Sequence, residues 1–121
     1  MRVRLRVSIY TEGRKLRRRD LEGMREPLYV GMRYITESKY LEATKWLMVA
    51  GDCWEKYALL TLINLSLGQE DLAREFLLQT EDKDRLTQLE FSAESPEEGF
   101  SFWVRSTEDL RKVFSHFGVA Y

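Results

Sequence analysis

Between Tyr40 and Leu77 an apolar residue recurs at nearly every third or fourth position, broken only around Ala50-Gly51-Asp52 and at Gly68. A period near 3.6 sustained that long leaves little besides a stack of short amphipathic helices. The spacing predicts helices over 27–37, 39–50, 53–67 and 70–80. Pro27 suits a first helical turn, where a missing N–H costs least. The segment "LYVGMRYIT" also has good β propensity and contains Gly31, so a strand over 27–37 is the alternative there. Tyr40, Ala43, Leu47 and Ala50 fall on one side of the second helix. The third is apolar almost all round (Trp54, Tyr57, Ala58, Leu59, Leu60, Leu62, Ile63, Leu65) and should sit centrally. Gly68 supplies its stop. The fourth opens with Glu70 and Asp71, which suit the positive end of a helix dipole, and its expected buried stripe is Leu72, Ala73, Phe76 and Leu77.

Both ends of the chain switch to a period of two. "RVRLRVSIY" sets Val3, Leu5, Val7 and Ile9 against Arg2, Arg4, Arg6 and Ser8, a half-buried strand within 1–10. "TEG" reads as a turn, and "RKLRRRDLEGMRE" as a polar, partly helical connection anchored by Leu16 and Leu21. Over 87–105, "LEFSAES" and "FSFWVRS" alternate around "PEEG", a β-hairpin. Ser106 with Asp109 then opens a helix over 107–117 that Gly118 ends. A lone first strand would leave its backbone groups unpaired, so the hairpin must join it in a three-stranded antiparallel sheet. That pairing puts Arg4 and Arg6 on the side of Glu90 and Glu94. The expected fold is one α+β domain of 121 residues: about four antiparallel helices, a small antiparallel sheet and a carboxy-terminal helix.

The helices also carry a repeat signal. Val30-Gly31, Tyr34, Ser38, Tyr40, Ala43, Leu47 and Ala50 fall at signature spacings, and a poorer copy follows with Tyr57, Leu60, Gly68 and Ala73. This pattern resembles the tetratricopeptide repeat, over roughly residues 24–80. The resemblance implies two antiparallel helix pairs with small residues at close crossings. It also implies a concave groove on the first helix of each pair, where Met32, Ile35 and Leu62 would contact a partner. Such a groove is either open to a partner or filled by the chain's own sheet or last helix.

Cys53 and His116 are each single, which argues against a zinc constellation or a disulfide. No phosphate-loop glycine pattern is present, and no cofactor is expected. No apolar run reaches membrane-spanning or signal-sequence length, so the expected setting is cytoplasmic, with no membrane partner. Asn64 is the only asparagine, and with few glutamines and many charges the composition leans toward a thermophile.

The net charge of −1 conceals a polarised molecule. Residues 1–19 hold Arg2, Arg4, Arg6, Arg14, Lys15, Arg17, Arg18 and Arg19 against Glu12 alone, a net +7, so the remaining residues carry −8. Three readings follow, in order of preference. The first is a non-catalytic protein-interaction or adaptor module that engages a partner protein, or a second copy of itself, through Arg2, Arg4, Arg6, Arg14, Arg17, Arg18 and Arg19, with the apolar groove second. In the second, the same arginines bind nucleic acid: on one strand face they stand about 7 Å apart, near phosphate spacing, and Tyr10 or Trp103 could stack on bases. The third starts from "RKVFSH", where Arg111 precedes His116 by five residues. This resembles the ribonucleases of the higher-eukaryote-and-prokaryote nucleotide-binding superfamily. It implies His116 as general acid or base and Arg111 as the group steadying phosphate charge.

Overall fold

A computed structural model describes residues 4–121 of the chain. Arg2 and the first residues of the expected strand lie outside the described residues. The elements are β1 (Arg6–Thr11), β2 (Arg14–Lys15), α1 (Arg18–Leu21), α2 (Pro27–Thr36), α3 (Tyr40–Val49), α4 (Trp54–Ser66), α5 (Glu70–Thr80), β3 (Glu90–Ser95), β4 (Phe100–Val104) and α6 (Thr107–His116). The fold is α+β with a small antiparallel sheet and a carboxy-terminal helix, as the periodicities require.

The sheet has four strands rather than three, in the order β2-β1-β3-β4. The extra strand is the start of the segment read as a polar connection. Glu12 and Gly13 both adopt positive φ (+49° and +78°), which two-residue hairpin turns favour because their twist matches that of the strands. That turn brings Thr11 opposite Arg14 and Tyr10 opposite Lys15. On its other side β1 pairs with β3, Arg6 against Glu94 and Tyr10 against Glu90, so the arginine face does lie on the glutamate side.

Residues 27–37 take the helical alternative. Helices α2 and α3 form one hairpin and α4 and α5 another, each across a short connection. The two hairpins end their first helix alike. Lys39 N–H returns to Tyr34 C=O at 2.9 Å, and thirty residues on Gln69 N–H returns to Asn64 C=O at 2.8 Å. Between those donors and acceptors stand Ser38 and Gly68, both left-handed at φ +58° and +79°. Ala43 and Ala73, and Leu47 and Leu77, are buried at matching positions. The stripe on α5 differs from expectation: Leu72 is 43% exposed, Phe76 is half-buried, and Thr80 is buried with Ala73 and Leu77.

Helix α4 lies at the centre. Its buried charges are bound: the Glu55 carboxylate accepts the N–H groups of Leu86 and Thr87 and the Thr87 hydroxyl. The Lys56 ammonium donates to the carbonyls of Ala50 and Met48 at the end of α3, where a cation meets the negative end of the helix dipole. The apolar side of α2 and α4 is covered by the sheet and by α6. Val7, Ile9, Phe91, Val104, Leu110 and Phe114 join the same core as Met32, Ile35 and Leu62. Ahead of β1, side chains replace a strand partner. The Tyr40 hydroxyl accepts Val7 N–H and donates to Leu5 C=O, while Ser66 Oγ does the same for Leu5 N–H and C=O.

Candidate functional site

The covered helical face corrects one expectation. Met32, Ile35 and Leu62 are 0%, 1% and 0% exposed. They pack under the sheet and offer nothing to a partner, because the groove expected between the helices is occupied by β1, β3 and α6. Burial of apolar side chains is worth about 1.5–3 kcal/mol each, so an empty groove would not persist in water.

The arginines remain at the surface, in two kinds of environment. Arg4 reaches Glu97 at 3.2 Å, Arg6 reaches Glu94 at 3.9 Å, and Arg14 reaches Asp20 at 3.1 Å. Arg18 lies between Glu37 (3.3 Å) and Glu22 (3.5 Å). Asp20 also accepts Arg17 N–H at 2.7 Å. That bond, with the Arg14 guanidinium, outweighs the raising effect of partial burial and holds the Asp20 carboxyl below the usual range. Among the described residues, Lys15, Arg17 and Arg19 form no ion pair. Exposed pairs of this kind are worth roughly 0–1 kcal/mol, so Arg4 and Arg6 can exchange their glutamates for a better anion.

The β1–β2 hairpin and the end of α2 meet to line an open cleft of about 540 Å³. Arg6–Ile9 and Lys15–Arg18 come from the hairpin and its continuation, and Ile35, Thr36 and Ser38 from the end of α2 and the residues just after it. Its charged lining is Arg6, Lys15, Arg17 and Arg18, with no carboxylate, and Ser8, Thr36 and Ser38 contribute hydroxyl-bearing side chains. A second cleft of about 330 Å³ shares Arg6 and Ser38 and is lined also by Arg4, Leu5, Tyr40, Pro96 and Glu97. Ser8 follows Arg6 in the strand alternation and Lys15 belongs to the basic run, whereas Thr36 and Ser38 arrive through the tertiary fold and left no sequence signal. Arg14 and Arg19 line neither cleft.

Arg111 and His116 do share a cleft, of about 410 Å³, with Phe102, Glu108, Lys112, Ser115 and Tyr121. Arg111 is bound to Glu81 at 2.7 Å and Glu108 at 3.1 Å. Glu108 first, then Glu81, pushes its pKa further above the ordinary arginine value. The His116 ring lies 3.9 Å, centroid to centroid, from that of Phe100, with Nε2 3.5 Å from Glu98. A phosphate arriving there would face three carboxylates.

The sheet places Tyr10 and Trp103 together, ring centroids 4.9 Å apart, and Arg105 covers Trp103 at 4.8 Å. Among the described residues no group of three His, Cys, Asp or Glu side chains could hold a metal ion, and no helix is long and apolar enough to cross a membrane. No family model, no curated protein and no solved structure matches the chain.

Proposed function

We propose that the protein is a non-catalytic interaction module that holds an acidic segment of a partner protein along β1 and the β2–α1 connection. The observation that carries this reading is the 540 Å³ cleft, whose charged side chains are all cations in a chain of net charge −1. Concentrating positive charge in a concave site raises the local potential more than the net charge suggests. The helical hairpins serve as the scaffold that presents this edge. The small residues at Gly31, Ala43 and Ala73 support the tetratricopeptide-like reading, while the thirty-residue correspondence of the two hairpins is four short of that family's repeat. A single buried thiol, Cys53, goes with a cytoplasmic setting.

Nucleic acid is the second reading, favoured by Tyr10 and Trp103 on the same sheet as Arg6 and Lys15. One titration separates the two. A fluorescent glutamate-rich peptide and a single-stranded RNA are each followed by anisotropy at low and high salt, with wild-type protein and with Trp103→Ala. The expected result is peptide binding that weakens with salt and is indifferent to Trp103→Ala. RNA binding that Trp103→Ala abolishes, with no binding of the peptide, overturns the first reading in favour of the second.

A further inference from the structure

We propose that the larger cleft is a phosphoryl pocket, and that the acidic segment it takes is a phosphorylated side chain of the partner. This rests on the acidic-partner reading above and goes one step past it. Four cationic side chains line the cleft; Arg6 and Arg18 already pair with Glu94, Glu22 and Glu37, while Lys15 and Arg17 have no ion-pair partner among the described residues. Two unpaired cations match a phosphomonoester, which carries about −1.5 to −2 charge and three strong acceptor oxygens. Guanidinium forks donate two parallel hydrogen bonds to such oxygens.

Arg18 lies between Glu22 and Glu37, whereas Arg6 makes only a long, exposed pair with Glu94 that it can exchange for the ligand. Lys15 and Arg17 have no ion-pair partner among the described residues and are available to the ligand. No aromatic ring and no amide side chain lines the cleft, so nothing there would stack on a base or read its edge.

The neighbouring cleft sharpens the specificity. It shares Arg6 and Ser38 with the larger one, and its lining adds Leu5, Tyr40 and Pro96 beside the Arg4–Glu97 pair. The two together accommodate a phosphorylated residue with an apolar residue close to it in the same peptide. Ser38 stands at the junction of the two clefts.

The test is a comparison of three immobilised peptide pools, randomised around a central phosphoserine, phosphothreonine or phosphotyrosine, around the same residues unphosphorylated, and around glutamate. The phosphorylated pool is expected to retain the full-length protein at least roughly tenfold more tightly than either control, as charge-assisted bidentate contacts require. Lys15→Ala and Arg17→Ala, both at exposed positions and breaking no ion pair, should each remove most of that preference. Arg17→Lys should restore it only in part. Equal retention on the phosphorylated and glutamate pools overturns the phosphoryl assignment while leaving the acidic-partner reading in place. No retention on any pool at low salt overturns both. A preference that survives the Lys15→Ala, Arg17→Ala double variant overturns the location.

Discussion

Ser38 and Gly68 end equivalent helices with the same pair of hydrogen bonds, yet only one of them is glycine. A side chain in the left-handed region costs about 1–2 kcal/mol, partly offset by the greater freedom glycine has in the unfolded chain. Ser38→Gly should therefore stabilise the protein by roughly 0.5 kcal/mol, and Gly68→Ser should destabilise it by about 1 kcal/mol. Urea midpoints at constant slope measure both. A stabilising Gly68→Ser would sink the strain argument. Tyr57 provides a second residue-scale case. Its hydroxyl donates to Asp52 at 2.6 Å, and that bond, with some burial, pushes its pKa up to about 12. The folded value lies above the ordinary one, so the contribution to stability is complete below about pH 10 and is lost as pH rises toward about 12. An absorbance titration of tyrosinate should resolve one phenol ionising near 12. Asp52→Asn should return it toward the ordinary range; an unchanged titration would show that the carboxylate is not the cause.

Between elements, α2 and α3 cross closely at Gly31. A Cβ built on Gly31 would lie 2.8 Å from Leu47 Cγ and Cδ2, inside any relaxed contact. Gly31→Ala raises helix propensity but forces Leu47, itself 0% exposed, out of its place, a net cost of roughly 1–3 kcal/mol. Thermal melts of Gly31→Ala, Leu47→Ala and the double variant check this. The double variant should lose less than the sum of the two, because removing Leu47 makes room for the new methyl group. Additive losses would place the conflict elsewhere. The helices were legible because each has an apolar stripe and a punctuating residue, and their bounds fall within a residue or so of those read from Pro27, Gly68 and Gly118. Strand β2 was not legible. Two residues, Arg14 and Lys15, show no period, and their pairing follows from the Glu12-Gly13 turn. Leu72 misled for a related reason: α5 packs through Ala73, Leu77 and Thr80, a narrower stripe than its apolar residues suggest. The arginines were visible as charge, whereas the cleft they line needs Thr36 and Ser38 brought in by α2, which no local pattern encodes.

At the scale of the molecule, the two ends of the chain complete each other. The helical hairpins join neighbours in sequence, whereas β1 pairs with β3 across nearly the whole chain, Arg6 opposite Glu94. Closing so long a loop is entropically expensive before any contact is made, so the sheet should form after the helices. It also covers the apolar side of α2 and α4. Phe91, Val104, Leu110, Val113 and Phe114 are each 0% exposed, and all five come from residues beyond the second hairpin. At about 1.5–3 kcal/mol apiece, their burial is comparable with the 5–15 kcal/mol total stability of a typical domain. A chain ending at Thr87 therefore cannot keep the native state by helix packing alone. It should retain much of its far-ultraviolet helical signal, bind a hydrophobic dye on the uncovered face of Leu28, Met32, Ile35 and Leu62, and unfold without a cooperative transition, the behaviour of a collapsed but unpacked state. Circular dichroism, dye fluorescence and a urea titration on the truncated and full chains make the comparison. A sharp unfolding transition without dye binding in the truncated chain would mean that the two hairpins are self-sufficient. The filled groove would then be an optional cover and not the core that holds the arginine-bearing strand in place.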